Sequence, residues 1–330
     1  MCVLFSFECH VLSMCVFRFE VLKEKCFVSS ASPTIQKFQV YDSDYLSAKV
    51  WFTYKDFLWV DQVFYGRNTI RSIMKRCAVL IDLNGTLHIE DSPIPRAAEA
   101  LQRLRENHPV KFVTNTTKES INVLHKRVTG CGFSIEKEEI FTSLVAARKL
   151  IEDQNLRPML LLAKEAMEDF EGINTMNPNA VVVGLAPSEF HFEKLNDAFK
   201  LVLDGAQLVA IHKGRYYRRG DGLALGPGPF VVAIEYAAGA KAAVVGKPEP
   251  TFFHMAATTL DENVDISSTV MIGDDAKDDV LGAINCGMKG ILVRTGKYRQ
   301  GDEEQIPADR RNCVESFAEA VDLIEKGEVL

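Results

Sequence analysis

Side chains suited to phosphoryl transfer follow apolar runs at four places in this 330-residue chain: Asp82, Thr114, Lys247 and Asp274. Continuous apolar runs rich in β-branched residues are typical of strands buried on both faces of a parallel sheet. Ligands of such sheets bind at the carboxyl ends of the strands, so we expect the four side chains to meet there. The runs, with a fifth that ends at Arg294, are 77–81, 110–113, 243–246, 269–272 and 290–293.

Phosphoryl transfer to a carboxylate needs a nucleophile, a divalent cation, and positive and hydrogen-bonding groups around the transferred oxygens. We assign the nucleophile to Asp82, which would form an aspartyl-phosphate that water then hydrolyses. Lys247 would neutralise the phosphate and the nucleophilic carboxylate, and Thr114 would donate its hydroxyl to a phosphoryl oxygen. Asn115 and Thr116 are expected to line the same substrate pocket, to which Lys247 also contributes.

Four aspartates lie within six positions near the end of the fourth run: Asp274, Asp275, Asp278 and Asp279. Mg²⁺ in proteins binds a few carboxylates together with waters and phosphate oxygens. We predict that Asp274 binds Mg²⁺ and that Asp275 and Asp279 hold the cation or its waters. The alternative is an acidic helix amino terminus, which the helix dipole favours. Two acids directly at a buried strand end favour the metal.

The other signals each have an ordinary structural alternative. Residues 82–86 could be a polar turn after a strand, Thr114 could cap a helix, and Lys247 could be a surface lysine. Their order at the ends of successive strands favours the catalytic interpretation. A signalling receiver domain also combines an aspartate, a threonine, a lysine and paired acids. There the acid pair comes near the start of the domain, whereas here it comes last, which argues against this alternative.

Composition narrows the function classes. The net charge of −7 argues against nucleic-acid binding, which needs a basic surface. No stretch of 18 apolar residues occurs, so we expect no membrane span. The eight cysteines show neither metal-ligand spacing nor a disulfide pattern, which favours a reducing, cytoplasmic location.

The spacing of the catalytic runs predicts an inserted domain. Residues 114–242 separate the second and third runs, although one strand-to-strand crossover needs only about 30 residues. We therefore predict an inserted α/β domain at 143–232. Residues 76–142 and 233–330 would form the core, a doubly wound, Rossmann-like parallel sheet. The elements predicted in the insertion are strands at 180–185 and 208–211 and a helix at 188–204, and a helix at 229–238 leads back into the core.

Residues 1–75 differ from the rest of the chain. They hold four cysteines and both tryptophans and show no clear helical or strand periodicity. Either they form a targeting or partner-binding extension, or they are an aberrant segment or one that lacks ordered structure. The absence of periodicity favours the second interpretation.

Four stretches together carry a resemblance to a known family: 82–91, 112–120, 222–229 and 273–275. Over about residues 76–326 the sequence resembles the haloacid dehalogenase-like hydrolase superfamily, in the branch with a large α/β cap. The resemblance implies a Rossmann-like core and an inserted cap. It also implies Mg²⁺ and phosphatase chemistry through Asp82, Thr114, Lys247 and Asp274.

Asn84 departs from the pattern of that family. The resemblance implies that the backbone carbonyl at this position binds the metal, and active phosphatases of the family usually have a second aspartate here as general acid and base. An asparagine can do neither at neutral pH, and such catalysis is typically worth about 10²–10⁴-fold. We hypothesise that Asn84 contacts the substrate and biases the enzyme toward leaving groups that need no protonation. Aryl phosphates, phosphoramidates and pyrophosphate are examples.

The sequence therefore predicts a Mg²⁺-dependent phosphatase that acts on small phosphorylated molecules. The alternative is a phospho-ligand binding or interaction protein with weak catalysis, motivated by Asn84 and by the amino-terminal extension. The oligomeric state stays open between a monomer and a homodimer.

A basic and aromatic segment, 212–219, follows a strand of the predicted insertion. Either it faces the cleft and contacts an acidic or aromatic part of the substrate, or it is a hairpin edge whose charges discourage strand pairing. The turn at 226–229 is expected to act as a hinge into the helix that returns to the core.

Overall fold

The computed structural model of the chain describes residues 77–219 and 222–330, together with five strands among the first 75 residues. The chain divides into two compact units, 1–75 and 76–330. None of the helices in the described residues has the length and apolar character that crossing a membrane requires.

The amino-terminal unit contains two antiparallel sheets. The sequence pattern does not predict these strands. The other residues of this unit lie outside the described part of the chain. The prediction that the unit lacks ordered structure falls on those residues. Its strands are β1 (Phe5–His10) paired with β2 (Met14–Phe19), and β3 (Gln36–Tyr41), β4 (Ser47–Thr53) and β5 (Phe57–Val63) in a meander.

The second unit is built from short strands and helices that alternate along most of the chain. The strands are β6 (Val79–Asp82), β7 (His88–Ile89), β8 (Ser92–Pro93), β9 (Val110–Thr114), β10 (Ile140–Thr142), β11 (Pro158–Leu161), β12 (Ala180–Val183), β13 (Gln207–Ala210), β14 (Tyr216–Arg219), β15 (Gly222–Leu225), β16 (Ala243–Val244), β17 (Val270–Gly273), β18 (Lys289–Val293) and β19 (Asn312–Val314). The α-helices are α1 (Ala97–Arg105), α2 (Ile121–Gly130), α3 (Ser143–Asp153), α4 (Phe192–Leu203), α5 (Gly228–Ala238), α6 (Pro250–Thr258), α7 (Gly282–Asn285) and α8 (Phe317–Glu325).

A six-stranded parallel sheet forms the core, in the order β10-β9-β6-β17-β18-β19. The register places Ile81 opposite Phe112 on one side and opposite Ile272 on the other. Because the strands are parallel and in step, Asp82, Thr114 and Asp274 leave the sheet at the same edge. The predicted meeting of these three strand ends is confirmed.

Helices cover both faces of this sheet. Successive residues of a strand point to opposite faces, so the neighbours of β6 show which helices lie on each face. Val79 and Ile81 of β6 pack in one apolar cluster with residues of α1, α2 and α8. Leu80 lies in a second cluster with residues of α3 and α6. The four residues of β6 are all buried. This is the predicted doubly wound α/β architecture, and it is confirmed.

A second parallel sheet has the order β11-β12-β13-β16. Helices α4 and α5 pack on one of its faces through Ala198, Val202, Val231 and Ile234. The predicted strands at 180–185 and 208–211 and helices at 188–204 and 229–238 therefore exist, each with ends shifted by a few residues. The boundaries 143–232 of the inserted domain stay a prediction.

The run 243–246 is the main error in the predicted topology. We expected it to be a strand of the core sheet, but its first two residues form β16, which pairs with β13 of the second sheet. In the core sheet, β6 already has β9 and β17 as neighbours, so no position beside it remains. A short β-branched run predicts a strand but carries no information on which sheet accepts it.

Residues 216–219 form β14, which pairs with β15 as an antiparallel hairpin. This agrees with the hairpin alternative for the basic segment. The turn after β15 leads directly into α5, and the amide of Gly228 donates a hydrogen bond to the carbonyl of Gly214 at 3.0 Å. A hinge at this turn stays a prediction.

Leu80 tests the buried core. We expect Leu80→Ala, at a fully buried side chain in the central strand, to lower the free energy of unfolding by about 2–5 kcal/mol. Leu203→Ala, at a leucine that is 59% exposed, is the matched control and should change it by less than about 0.5 kcal/mol. Urea denaturation of the three proteins gives the comparison. Equal losses in both variants would contradict the assignment of the core.

Candidate active site

Lys247 binds two carboxylates at the carboxyl edge of the core sheet. Its Nζ lies 2.6 Å from Oδ1 of Asp82 and 2.6 Å from Oδ1 of Asp279, and its side chain is only 3% exposed. Burial by itself would lower the pKa of Lys247, but the charges of Asp279 and Asp82 outweigh burial and raise it. The lysine is therefore a buried cation, and the surface alternative is wrong.

Asp274 completes the acidic group. One oxygen each of Asp82, Asp274 and Asp279 lie within 4.8 Å of one another. Oδ2 of Asp274 accepts a hydrogen bond from the amide of Lys297 at 2.6 Å, whereas its Oδ1 is buried and has no hydrogen-bond partner among the described residues. Burial, followed by the negative charge of Asp82, raises the pKa of Asp274 to about 7.

This group fits a magnesium ion. Its donors are carboxylate oxygens, which Mg²⁺ prefers, and a buried oxygen without a partner is a position that a cation would satisfy. Burial also raises the pKa of Asp279, whose two oxygens accept hydrogen bonds from Nζ of Lys247 and, at 3.1 Å, from the amide of Asp275. Asp82 and Asp274 are thus the side chains best placed to bind the metal directly.

Asp275 lies outside this group. Its Oδ1 accepts hydrogen bonds from the amides of Lys277 and Asp278 at 3.0 and 2.9 Å, because it caps the helical turn Ala276–Leu281. The predicted helix-cap alternative therefore holds for this residue. A role for Asp275 in holding the cation or its waters stays a prediction.

Thr114 is buried at the end of β9. Its Oγ1 accepts a hydrogen bond from the amide of Thr116 at 3.3 Å, so the hydroxyl proton remains available for a phosphoryl oxygen. The next helix, α2, begins at Ile121 with Ser120 as its cap, so the capping alternative for Thr114 is wrong. Thr116 is partly exposed beside it.

Asn115 binds the backbone of Lys247 through both ends of its side-chain amide. Its Nδ2 donates to the carbonyl of Lys247 at 2.9 Å, and its Oδ1 accepts from the amide of Lys247 at 2.9 Å. We call this pair of hydrogen bonds the amide clamp. It fixes Lys247, which binds Asp82. This role of Asn115 was not predicted from the sequence. Contact between Asn115 and substrate stays a prediction.

A tight turn follows Asp82. Gly85 has a φ of 103°, which favours glycine, and a Cβ at this position would collide with the carboxylate of Asp274. This close approach explains why a glycine stands here. Asn84 is exposed at the same turn, and the structure shows no hydrogen bond from its side chain to the described residues.

The loop after β18 also contacts the site, although we assigned it no role from the sequence. The hydroxyl of Thr295 donates to the carbonyl of Gly85 at 2.5 Å, and the amide of Lys297 donates to Asp274. Its signal was the fifth apolar run, which ends at Arg294. From the side of the second sheet, Nε2 of His212 lies 3.4 Å from Oγ1 of Thr117.

Family models identify the class to which this fold and site belong. Residues 79–175 match the model described as haloacid dehalogenase-like hydrolase, and residues 244–320 match a HAD-hydrolase-like model. The chain belongs to the haloacid dehalogenase-like hydrolase family.

Individual relatives refine the comparison. The chain is 60% identical over 249 residues to haloacid dehalogenase-like hydrolase domain-containing protein 2 of Bos taurus. The matched region covers 75% of this chain and 95% of the relative. It is 39% identical to the human phospholysine phosphohistidine inorganic pyrophosphate phosphatase, over 74% of this chain and 93% of the relative. The solved 4-nitrophenylphosphatase of Thermotoga maritima superposes with a TM-score of 0.69 at 25% identity, over 76% of this chain and 98% of that one.

The amide clamp can be tested by Asn115→Ala. We expect kcat/KM to fall about 10–100-fold for every phosphoester tested, because a displaced Lys247 no longer orients Asp82. Asn122→Ala, at an exposed asparagine that binds Glu168, is the matched control and should keep wild-type kinetics. A loss confined to one substrate would instead indicate that Asn115 contacts that substrate directly.

Proposed function

We propose that this protein is a Mg²⁺-dependent phosphatase that acts on small phosphorylated molecules through a phosphorylated Asp82. The observation that carries the proposal is the buried Lys247, whose ammonium lies 2.6 Å from Asp82 beside the unpartnered oxygen of Asp274. Phosphoryl transfer to a carboxylate requires a nucleophilic carboxylate, a positive charge and an oxygen that can bind a metal. Asp82, Lys247 and Asp274 supply these groups in one buried place.

The reaction has two steps at Asp82. In the first, a carboxylate oxygen forms a bond to phosphorus while the bond to the leaving-group oxygen or nitrogen breaks, and the leaving group takes that electron pair. In the second, water attacks phosphorus, inorganic phosphate departs, and the proton of the water passes to the solvent or to phosphate. Lys247 pairs with charge on the phosphoryl oxygens, and Thr114 donates its hydroxyl to one of them.

Asp82 and Asp274 would hold the metal, together with the backbone carbonyl of Asn84 that the family resemblance implies. Mg²⁺ bound there would neutralise charge on the transferred phosphoryl group. Asp279 would support the site by holding Lys247, to which it lies as close as Asp82 does.

Weakly basic leaving groups suit this site because Asn84 cannot supply a proton. The names of the similar proteins fit this class, since one is a 4-nitrophenylphosphatase and another a phospholysine, phosphohistidine and pyrophosphate phosphatase. We propose that aryl phosphates, phosphoramidates or pyrophosphate are better substrates than alkyl phosphates. The exposed side chain of Asn84 would contact the bound substrate.

Asp82→Asn tests the proposed function. We expect hydrolysis of 4-nitrophenyl phosphate by the wild type to require Mg²⁺ and to fall at least about 10³-fold in the variant, which lacks the nucleophile. Asp153→Asn, at an exposed aspartate, is the control for loss of one charge. Turnover that persists in Asp82→Asn would contradict the assignment of the nucleophile.

Asn84→Asp tests the missing acid. If the absent proton donor limits the reaction, the variant should hydrolyse an alkyl phosphate such as glycerol phosphate about 10-fold or more faster than the wild type, with a smaller gain for 4-nitrophenyl phosphate. Steady-state rates with both substrates give the comparison. No gain on the alkyl phosphate would show that protonation of the leaving group is not the limitation.

A second candidate is a protein that binds phosphorylated ligands with little turnover, which the replacement of the usual acid by Asn84 favours. It requires that the folded wild type bind Mg²⁺ and inorganic phosphate in calorimetry while it releases no phosphate from any of these substrates. The same assays therefore separate the two candidates.

A further inference from the structure

The loop 294–297 is held against the candidate active site by three contacts. The hydroxyl of Thr295 donates to the carbonyl of Gly85 at 2.5 Å. Gly296 has a φ of 58°, and a Cβ there would collide with Asp274 and Gly85. The amide of Lys297 donates to Oδ2 of Asp274 at 2.6 Å. The backbone of Lys297 is therefore fixed beside the carboxylate that would bind the metal.

The side chain of Lys297 is accessible, in contrast to its backbone. It is 65% exposed, and among the described residues its one ion pair is a long contact of 3.7 Å between its Nζ and Oδ2 of Asp275. Exposed ion pairs of this kind are weak and are screened by solvent. Lys247, by comparison, is buried between two carboxylates, and Lys213 lies 2.8 Å from Glu235. The Lys297 ammonium can therefore bind an incoming anion.

The second sheet contributes a neutral group near this lysine. His212 lies just beyond β13, where its Nδ1 accepts from the amide of Gly214 at 3.1 Å. Burial and then the positive charge of Lys297 lower the pKa of His212 to about 4, so the imidazole is uncharged at neutral pH. The imidazole therefore adds no positive charge beside Lys297.

We propose that Lys297 binds a second anionic group of the substrate, on the leaving-group side of the phosphoryl group that Asp82 attacks. The proposal rests on the proposed function and selects among its substrate classes. It favours inorganic pyrophosphate and similar compounds, whose leaving group is already charged in the ground state. Such a group enters a site that holds three carboxylates, Asp82, Asp274 and Asp279, and needs a counter-charge there.

The chemical step is balanced without a proton from the protein. An oxygen of Asp82 forms a bond to one phosphorus of pyrophosphate, the bridging P–O bond breaks, and its electron pair departs with the second phosphate. Lys297 pairs with the charge of that departing phosphate. Water then cleaves the aspartyl-phosphate, which releases the first phosphate and restores the carboxylate of Asp82.

The test compares pyrophosphate with 4-nitrophenyl phosphate, whose leaving group carries no formal charge before its bond breaks. In Lys297→Ala we expect kcat/KM for pyrophosphate to fall about 10–100-fold and that for 4-nitrophenyl phosphate to change less than about 3-fold. Lys297→Arg, which keeps the charge, should restore most of the activity on pyrophosphate. Lys277→Ala removes an exposed lysine nearby and should leave the ratio of the two kcat/KM values unchanged.

Binding gives a readout that does not depend on turnover. Methylenediphosphonate, a non-hydrolysable diphosphonate, should bind the wild type in calorimetry with Mg²⁺ and bind Lys297→Ala about 10-fold more weakly. Equal losses on both substrates, the same selective loss in Lys277→Ala, or no diphosphonate binding by the wild type would overturn the proposal. Hydrolysis of 4-nitrophenyl phosphate but not of pyrophosphate would overturn it while leaving the proposed function intact.

Discussion

The ion pairs of one buried lysine with two carboxylates are the constraint on which the rest of this structure depends. Removing a charge from water costs on the order of several kcal/mol per ion unless a partner compensates it. Lys247 compensates Asp82 and Asp279, but Asp274 lies in the same group with one oxygen unpartnered. Three carboxyl groups therefore share one buried ammonium in this group. That imbalance favours a bound cation, and with it a phosphoryl group that the cation and the lysine can share.

Segments far apart in the sequence meet in this cluster because the core strands run parallel and in step. Asp82 and Thr114 come from neighbouring strands, and Asp274 follows the strand on the other side of β6. Lys247 arrives differently, three residues after the end of β16 of the second sheet. The side chain of Asn115 ties the backbone of this lysine to the residue after β9 of the core sheet.

Most of the core strands, and the residues that follow them, could be predicted from the sequence. Continuous apolar runs indicate buried strands, and the side chain after each run is then expected at the carboxyl edge of the sheet. One prediction about pairing failed: the run 243–246 supplies a strand, β16, that joins the other sheet. Two contacts go beyond what residue type indicates, since Asp275 caps a helical turn and the side chain of Asn115 binds the backbone of Lys247. Each outcome depends on a neighbour that is distant in sequence or on the local direction of the chain.

Residue types and apolar runs were enough to indicate which chemical groups this protein has and roughly where its core strands end, because both are properties of short segments. The three-dimensional fold, in contrast, sets the contacts of Lys247 with Asp82 and Asp279, the hold of Asn115 on this lysine, and the position of the Lys297 loop against Asp274. These contacts join residues up to 165 positions apart. They form because the whole fold must pair its buried charges and satisfy its buried hydrogen-bonding groups.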